Sequence, residues 1–299
     1  MKSAFISIIG RPSAGKSTLL NNICGEKVSI VSPVPQTTRN KIRGIITEDA
    51  GQLIFIDTPG YHNSDKKFNH YLKDLAGSSL EDADIVLYMI DTTRPPGKEE
   101  GEILELLKPY FSKTLVLMNK TDLHGSNPGT AAEFIKEGAP EIIDSGSVFP
   151  VSAETGKGVR AVIDRLFEIA PEGEPMYPED YYTDQQPEFR VKEIVREKAI
   201  NLSRQELPHS IYVEIADMEM KYKETGEIKK LWVRAFLVAE RESQKGILVG
   251  HGGENIKKIR SESSKELNGI FPYHVHLDLR VKVNPKWRRN DDILKKMLY

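Results

Sequence analysis

The stretch Gly10-Arg11-Pro12-Ser13-Ala14-Gly15-Lys16-Ser17 constrains this chain more than any other. It follows an apolar run, Ala4 to Ile9, and precedes a helical pattern from Thr18 to Cys24. Strand, Gly-rich loop and helix in that order is the context a phosphate-binding P-loop requires. Glycines at both ends let the backbone curl until its N–H groups converge on an anion. The helix that begins there adds its positive N-terminal end. Gly10, Ser13, Ala14, Gly15 and Thr18 are thus candidates to line a nucleotide's phosphates. Lys16 reaches the β/γ-phosphates, and the Ser17 hydroxyl ligates Mg²⁺.

The segments that follow supply the rest of such a site. Ser32 to Arg39 lacks periodicity and holds Pro33 and Pro35, so it reads as a loop. Its Thr38 hydroxyl could complete the Mg²⁺ shell and sense a γ-phosphate, with Thr37 the competing choice. Lys41 to Thr47 and Leu53 to Ile56 read as paired strands. The second ends in Asp57-Thr58-Pro59-Gly60. A carboxylate there can hold a water of Mg²⁺, and Gly60 can offer its N–H to the γ-phosphate and pivot when that group leaves. Residues 61–80 read as a mobile second switch with a helix.

Base choice becomes legible at Asn119-Lys120-Thr121-Asp122, which closes the apolar strand Leu115 to Met118. Asp122 can accept from both guanine N1–H and the 2-amino group. Adenine offers no such pair, and a buried polar site left unpaired discriminates by about 10⁴-fold. Asn119 either binds the N7/O6 side or ties the loop to the P-loop, and the Lys120 stem can lie along the base. Ser152-Ala153-Glu154 follows another strand, 148–151, and backbone N–H groups around Ala153 could read guanine O6. Ala83 to Asp91 is a nearly continuous apolar strand, Glu99 to Tyr110 an amphipathic helix and Val159 to Ile169 a closing helix. Strands alternating with helices predict an α/β fold with a mostly parallel sheet.

The remainder differs in kind. Residues 1–180 carry 19 Lys+Arg against 26 Asp+Glu, whereas residues 181–299 carry 23 against 18. A basic back half points to a nucleic-acid or acidic-membrane partner. No apolar run approaches the roughly 20 residues of a membrane span, and the lone Cys24 fits a reducing cytoplasm. Residues 171–188, with Pro171, Pro175 and Pro178, read as a semi-rigid linker. After it come a helix (189–203), two paired strands (210–220 and 229–239), and Gly250-His251-Gly252-Gly253 between two helices, then a strand from His274 to Val283. A Gly-x-x-Gly loop lets backbone approach a sugar-phosphate chain, with Lys257 and Lys258 placed to meet phosphates. Lys286-Trp287-Arg288 is basic with one aromatic, which could stack on a base or pack on the fold.

These motifs in order resemble known families. Residues 1–170 look like a TRAFAC-class GTPase domain, and residues 189–299 look like a type II KH domain of α+β architecture with a basic tail. The two together resemble the Era GTPase family across essentially the whole chain. Pro35-Gln36-Thr37-Thr38-Arg39, Asp57-Thr58-Pro59-Gly60-Tyr61-His62, the Gly250–Gly253 loop and Val281-Lys282-Val283 match that family most closely. The resemblance implies a GTP-hydrolysing switch, with GTP/GDP and Mg²⁺ bound. It implies binding to 16S rRNA near its 3′ end and a role in assembly of the small (30S) ribosomal subunit. It also implies a cytoplasmic monomer with peripheral contact to the anionic membrane and no DNA partner. The alternative is a membrane-associated regulatory GTPase of growth and division. The chain departs from the Era family at Ser13 and, after the Gly-x-x-Gly loop, at Arg260 and Ser264, and from GTPases at large at Tyr61. Tyr61 occupies the place where many GTPases carry a water-orienting glutamine. Ser13 replaces a P-loop Asn that helps hold an activating K⁺ in related GTPases, which leaves K⁺ a possible but doubtful cofactor here.

Overall fold

The computed structural model describes residues 1–32, 34, 37–60, 77–202, 210–285, 287–290, 293 and 294. The expected second switch lies outside the described residues up to position 76, and residues 77–81 are helical. The chain divides into two compact units, residues 1–31 with 38–184, and residues 32–37 with 185–299.

The first unit is built on β1 (Lys2–Ile9), β2 (Ile42–Glu48), β3 (Gly51–Asp57), β4 (Ile85–Asp91), β5 (Thr114–Asn119) and β6 (Val148–Pro150). They form a six-stranded sheet in the order β2-β3-β1-β4-β5-β6. β2 runs antiparallel to β3, and the other pairs are parallel. Every residue of β4 and β5 is buried, as continuous apolar runs require when helices cover both faces. Helix α1 (Lys16–Cys24) follows the P-loop. On one face, Val86, Tyr88, Ile90 and Val116 pack with Ile103 and Leu107 of α2 (Lys98–Leu107). Ala131 and Ile135 of α3 (Pro128–Gly138) and Ile142 of α4 (Pro140–Asp144) complete that layer. Leu87, Met89, Leu115 and Leu117 alternate to the other face and are equally buried. Helix α5 (Val159–Ile169) buries Val162, Ile163 and Leu166.

The expected helix over 99–110 stops at Leu107 and tightens into a 3₁₀ turn over Lys108–Lys113, where Pro109 withholds a backbone donor. The sequence reading passed over α3 and α4. Their signal was present. Asn127 caps α3 by accepting from Thr130 N–H at 3.2 Å, and Pro128 sits at its first position.

Residues 171–184 are fastened to this first unit. Ser3 N–H donates to Pro171 O (3.1 Å), and Ile45 N–H donates to Tyr182 O (2.9 Å). The buried Gln52 amide accepts from Met176 and Tyr177 N–H and donates to Tyr177 O. Arg43 pairs with Asp184 at 2.6 Å.

The second unit runs α6 (Pro187–Leu202), β7 (Ile211–Tyr222), β8 (Ile228–Ala239), α7 (Glu242–Val249), α8 (Glu254–Ile270) and β9 (His274–Val283). The sheet order is β7-β8-β9, with β7–β8 antiparallel and β8–β9 parallel. Alternate residues Leu231, Val233, Ala235 and Leu237 of β8 join Val191 and Val195 of α6 and Leu267 of α8 in one core. Val34 packs against that core. Arg196, held by Glu193, donates to the Thr37 carbonyl at 2.7 Å.

Candidate functional site

Parallel strands deliver their carboxyl ends, and the loops after them, to one edge of the sheet, where open α/β folds bind ligands. The P-loop leaves β1 there. Gly15 has φ of +103°, and a Cβ on it would sit 2.3 Å from the Asn119 amide nitrogen. A Cβ on Gly10 would lie 2.5 Å from Met89 O. Both positions therefore need glycine. Lys16 is buried, and its ammonium donates to the Gly10 and Arg11 carbonyls at 3.0 Å each. Burial pulls this ammonium down to about 8, and the nearby Asp57 only partly restores it. An anionic phosphate in the loop favours the charged form.

The pH dependence follows. Above pH 8, nucleotide binding has to reprotonate Lys16, while the terminal phosphate, with its second pKa near about 6, is already ionised. Affinity for GDP should be flat just below pH 8 and fall above it. Calorimetry at pH 9 in two buffers of different ionisation heat should register proton uptake. The same lowered value means the nucleotide-free protein gains stability from this group as pH rises from 8 towards 10.5.

Four oxygens converge near Lys16. Ser17 Oγ lies 2.9 Å from Thr38 Oγ1 and donates to Asp57 Oδ2 at 2.5 Å. Thr38 Oγ1 is 3.4 Å from the same carboxylate oxygen, and Ser29 Oγ donates to it at 3.0 Å. Asp57 Oδ1 is buried without a hydrogen-bond partner. Burial pushes the Asp57 carboxyl up, against the pull of Lys16 and the three hydroxyls. A hard dication reverses that balance, and an all-oxygen set with an orphaned carboxylate oxygen suits Mg²⁺. Ser17, Thr38 and Asp57 are the three residues expected from the sequence. Gly60 lies against the loop, where a Cβ would come 2.8 Å from Pro12 Cα.

Beside the P-loop is a cavity of about 270 Å³ lined by Gly15, Thr18, Asn119, Lys120, Asp122, Leu123, Ala153 and Glu154. Leu123 was missed from the sequence, since an exposed leucine next to a motif carries no signal of its own. Of the two roles left open for Asn119, the structure shows the tie. Its Nδ2 donates to Ala14 O, and its Oδ1 accepts from Ala153 N–H, both at 2.8 Å. One buried amide thus staples three loops. Asn119→Ala strands both partners, at about 1–3 kcal/mol each. The expected outcome is a melting temperature lower by several degrees and weakened nucleotide binding, checked by calorimetry with and without GDP.

Several of the expected residues also make contacts within the protein. Ala153 N–H donates to Asn119 Oδ1 at 2.8 Å, which fixes the backbone of its loop. The Ser152 hydroxyl is fully buried and accepts from Thr155 N–H, shaping its own loop. Thr58 spends its hydroxyl on Ile8 O at 2.8 Å, securing β3 to β1. Pro59 follows it without a side-chain donor.

In the second unit, Gly250, Gly252 and Gly253 have φ of +73°, +56° and +80°. The loop is therefore left-handed at three of its four residues. A Cβ on Gly250 would collide with Asn255, whose amide donates to Ile247 O at 2.8 Å. His251 is exposed. Lys257 reaches back to Gly252 O at 3.4 Å, and Lys258 sits a helical turn from Glu262 at 4.0 Å. Trp287 packs on the fold, one of the two roles left open for it. It is 1% exposed, tilted 4.9 Å from the Tyr212 ring, and its indole donates to Ser210 O. It cannot stack on a base from that position. Arg288 is paired with Glu240, and Lys286 lies outside the described residues.

Known proteins share these features. A family model described as a 50S ribosome-binding GTPase matches residues 5–120, and a KH domain model matches residues 206–288. GTPase Era of Treponema denticola is 50% identical over 299 residues, spanning 100% of both chains. GTPase Era of Borreliella burgdorferi is 44% identical over 298 residues, again across 100% of both. Among solved structures, an Aquifex aeolicus Era variant bound to GDP and AlF₄⁻ superposes with a TM-score of 0.91 at 36% identity, covering 99% of each chain. An Era complex with MgGDPNP and nucleotides 1506–1542 of 16S ribosomal RNA gives the same TM-score and identity, covering 99% of this chain and 98% of that one. Among the described residues no helix is long and apolar enough to cross a membrane.

Proposed function

The chain belongs to the Era family of GTPases, and we propose that it is a GTP-driven switch that binds 16S rRNA near its 3′ end during assembly of the small ribosomal subunit. One observation carries the reading. A relative of the same architecture over nearly the whole chain was solved holding both MgGDPNP and that rRNA segment.

The residues divide the work as follows. Lys16 gives up the Gly10 and Arg11 carbonyls for the β/γ-phosphates, so its charge lands where negative charge builds during phosphoryl transfer. Ser17, Thr38 and Asp57 would hold Mg²⁺, which when bound neutralises phosphate charge. Thr38 and the Gly60 N–H sense the γ-phosphate, and its departure releases both loops. Asp122 selects guanine, with the Lys120 stem along the base. Tyr61 in place of glutamine leaves water orientation to a helper, so intrinsic turnover is slow. The Gly250–Gly253 backbone meets the sugar-phosphate chain of single-stranded RNA, with His251 on the same loop and Lys257 and Lys258 on phosphates.

The test is binding of the purified protein to an oligonucleotide of the 16S 3′ end, to a scrambled one of equal length, and to anionic vesicles at matched salt. Preference for the authentic RNA is expected. Tighter binding to vesicles than to RNA would favour the membrane-associated regulator instead.

A further inference from the structure

The parallel register sets Asp91, the last residue of β4, directly opposite Asn119, the last of β5. Thr92 then donates to the Asn119 carbonyl from both its N–H (3.1 Å) and its hydroxyl (2.7 Å), so the two strand ends leave the sheet sewn together. Lys120 has φ of +69°, a left-handed conformation uncommon in a residue with a side chain. That turn brings its ammonium to Asp91 Oδ2 at 2.8 Å while its stem lines the base cavity. The other carboxylate oxygen accepts from Thr93 N–H and Oγ1, at 3.0 and 2.6 Å. Asp91 is 2% exposed. On its far side Arg11, the second residue of the P-loop, approaches Oδ2 at 3.9 Å and pairs with Glu100 of α2 at 2.7 Å. One buried carboxylate therefore faces a cation from the phosphate loop and a cation from the base loop, with the half-exposed Arg94 at 3.5 Å as a third. Burial alone would raise the Asp91 carboxyl. The Lys120 ammonium and the Thr93 donors outweigh it and hold the group below the usual carboxylate range, so it stays charged.

We infer that Asp91 is a positioning residue for the guanine nucleotide. It touches neither base nor phosphate, but it fixes the Lys120 stem beside the base and locks that loop to the P-loop through Arg11. The inference rests on the guanine reading of the cavity. Without the Asp91 charge, Lys120 loses the partner that stabilises its left-handed turn, and the bound base loses one wall. Both GTP and GDP should feel this, because both carry the base. Chemistry at the γ-phosphate should feel it less.

The experiment measures affinity for GDP and ADP, and KM and kcat for GTP, in the full-length protein and in Asp91→Asn, Lys120→Met and the double variant. Asn keeps an oxygen for Thr93 and removes both the charge and the acceptor that Lys120 uses. Asp91→Asn should weaken GDP about tenfold and raise KM by a similar factor, with kcat at saturating GTP changed less than about threefold. Lys120→Met should cost at least as much, and the double variant should bind no more weakly than Lys120→Met alone. Asp91→Glu, which keeps the charge, should recover part of the loss. Additive losses, or GDP affinity within twofold of the parent in either single variant, would overturn the role of Asp91. Lys120 is partly exposed, so its variant tests the pair even if Asp91→Asn does not fold. A parent protein that binds ADP as well as GDP would overturn the guanine reading and this inference with it. Guanine preference in the parent alongside an unaffected Asp91→Asn removes only the inference.

Discussion

Replacing Lys16 with alanine should lower kcat for GTP by about 10²–10³-fold, the usual effect of losing one preorganised donor to a developing anion. The structure supplies a second, less obvious half to this expectation. The ammonium is buried, hydrogen-bonded to two carbonyls, and depressed to about 8. Its charge therefore disfavours the empty fold and is recovered when phosphates arrive. Lys16→Ala should leave the melting temperature of the nucleotide-free protein within a few degrees of the parent, less than about 1 kcal/mol. The stabilisation that GDP confers should largely vanish. Steady-state turnover and melting curves with and without GDP check both halves together. Turnover within about fivefold of the parent would move the phosphate site away from this loop.

The second large effect concerns the base. Asp122→Asn should weaken GTP by about 10²–10⁴-fold, because two charge-assisted hydrogen bonds at roughly 1.5–3 kcal/mol each are lost or inverted. An amide presents one acceptor and one donor. It mismatches the two guanine donors and suits xanthine, which carries an oxygen at C2. Part of the lost affinity should reappear with XTP, while ATP should remain poor. Competition binding with GTP, XTP and ATP gives the answer directly. Equal loss for GTP and XTP would indicate a collapsed pocket rather than an altered specificity.

The parts of the site that could be read from residue order are those whose chemistry demands one residue type. Glycine at position 15 is forced by a left-handed φ and by the Asn119 amide lying where its side chain would be. Ser17, Thr38 and Asp57 are the oxygens a hard cation needs, and they meet as their motifs implied. Strands β4 and β5 announced themselves because a strand buried on both faces favours a continuous apolar run. What stayed hidden depends on partners far away in sequence. Nothing local says that the Asn119 amide bridges Ala14 and Ala153, or that Trp287 is buried against Tyr212. An indole between basic residues looks like a stacking platform until the Ser210 carbonyl is seen to take its N–H. Residues 171–184 read as a spacer from their prolines, yet Gln52 and Arg43 hold them to the sheet edge. Asp91 was read only as the end of a buried strand. Its function depends on a register that sets it opposite Asn119.

The central claim is that one chain couples a nucleotide switch to RNA binding. The most direct test is the affinity of the purified protein for an oligonucleotide of the 16S 3′ end, measured with GDP and with a non-hydrolysable GTP analogue at the same salt. The account predicts tighter binding in the GTP-analogue state, because Thr38 and Gly60 respond to the γ-phosphate and RNA binding must differ between the two states for that response to matter. Equal affinity in both states would contradict it and leave a GTPase and an RNA-binding unit joined only by the chain.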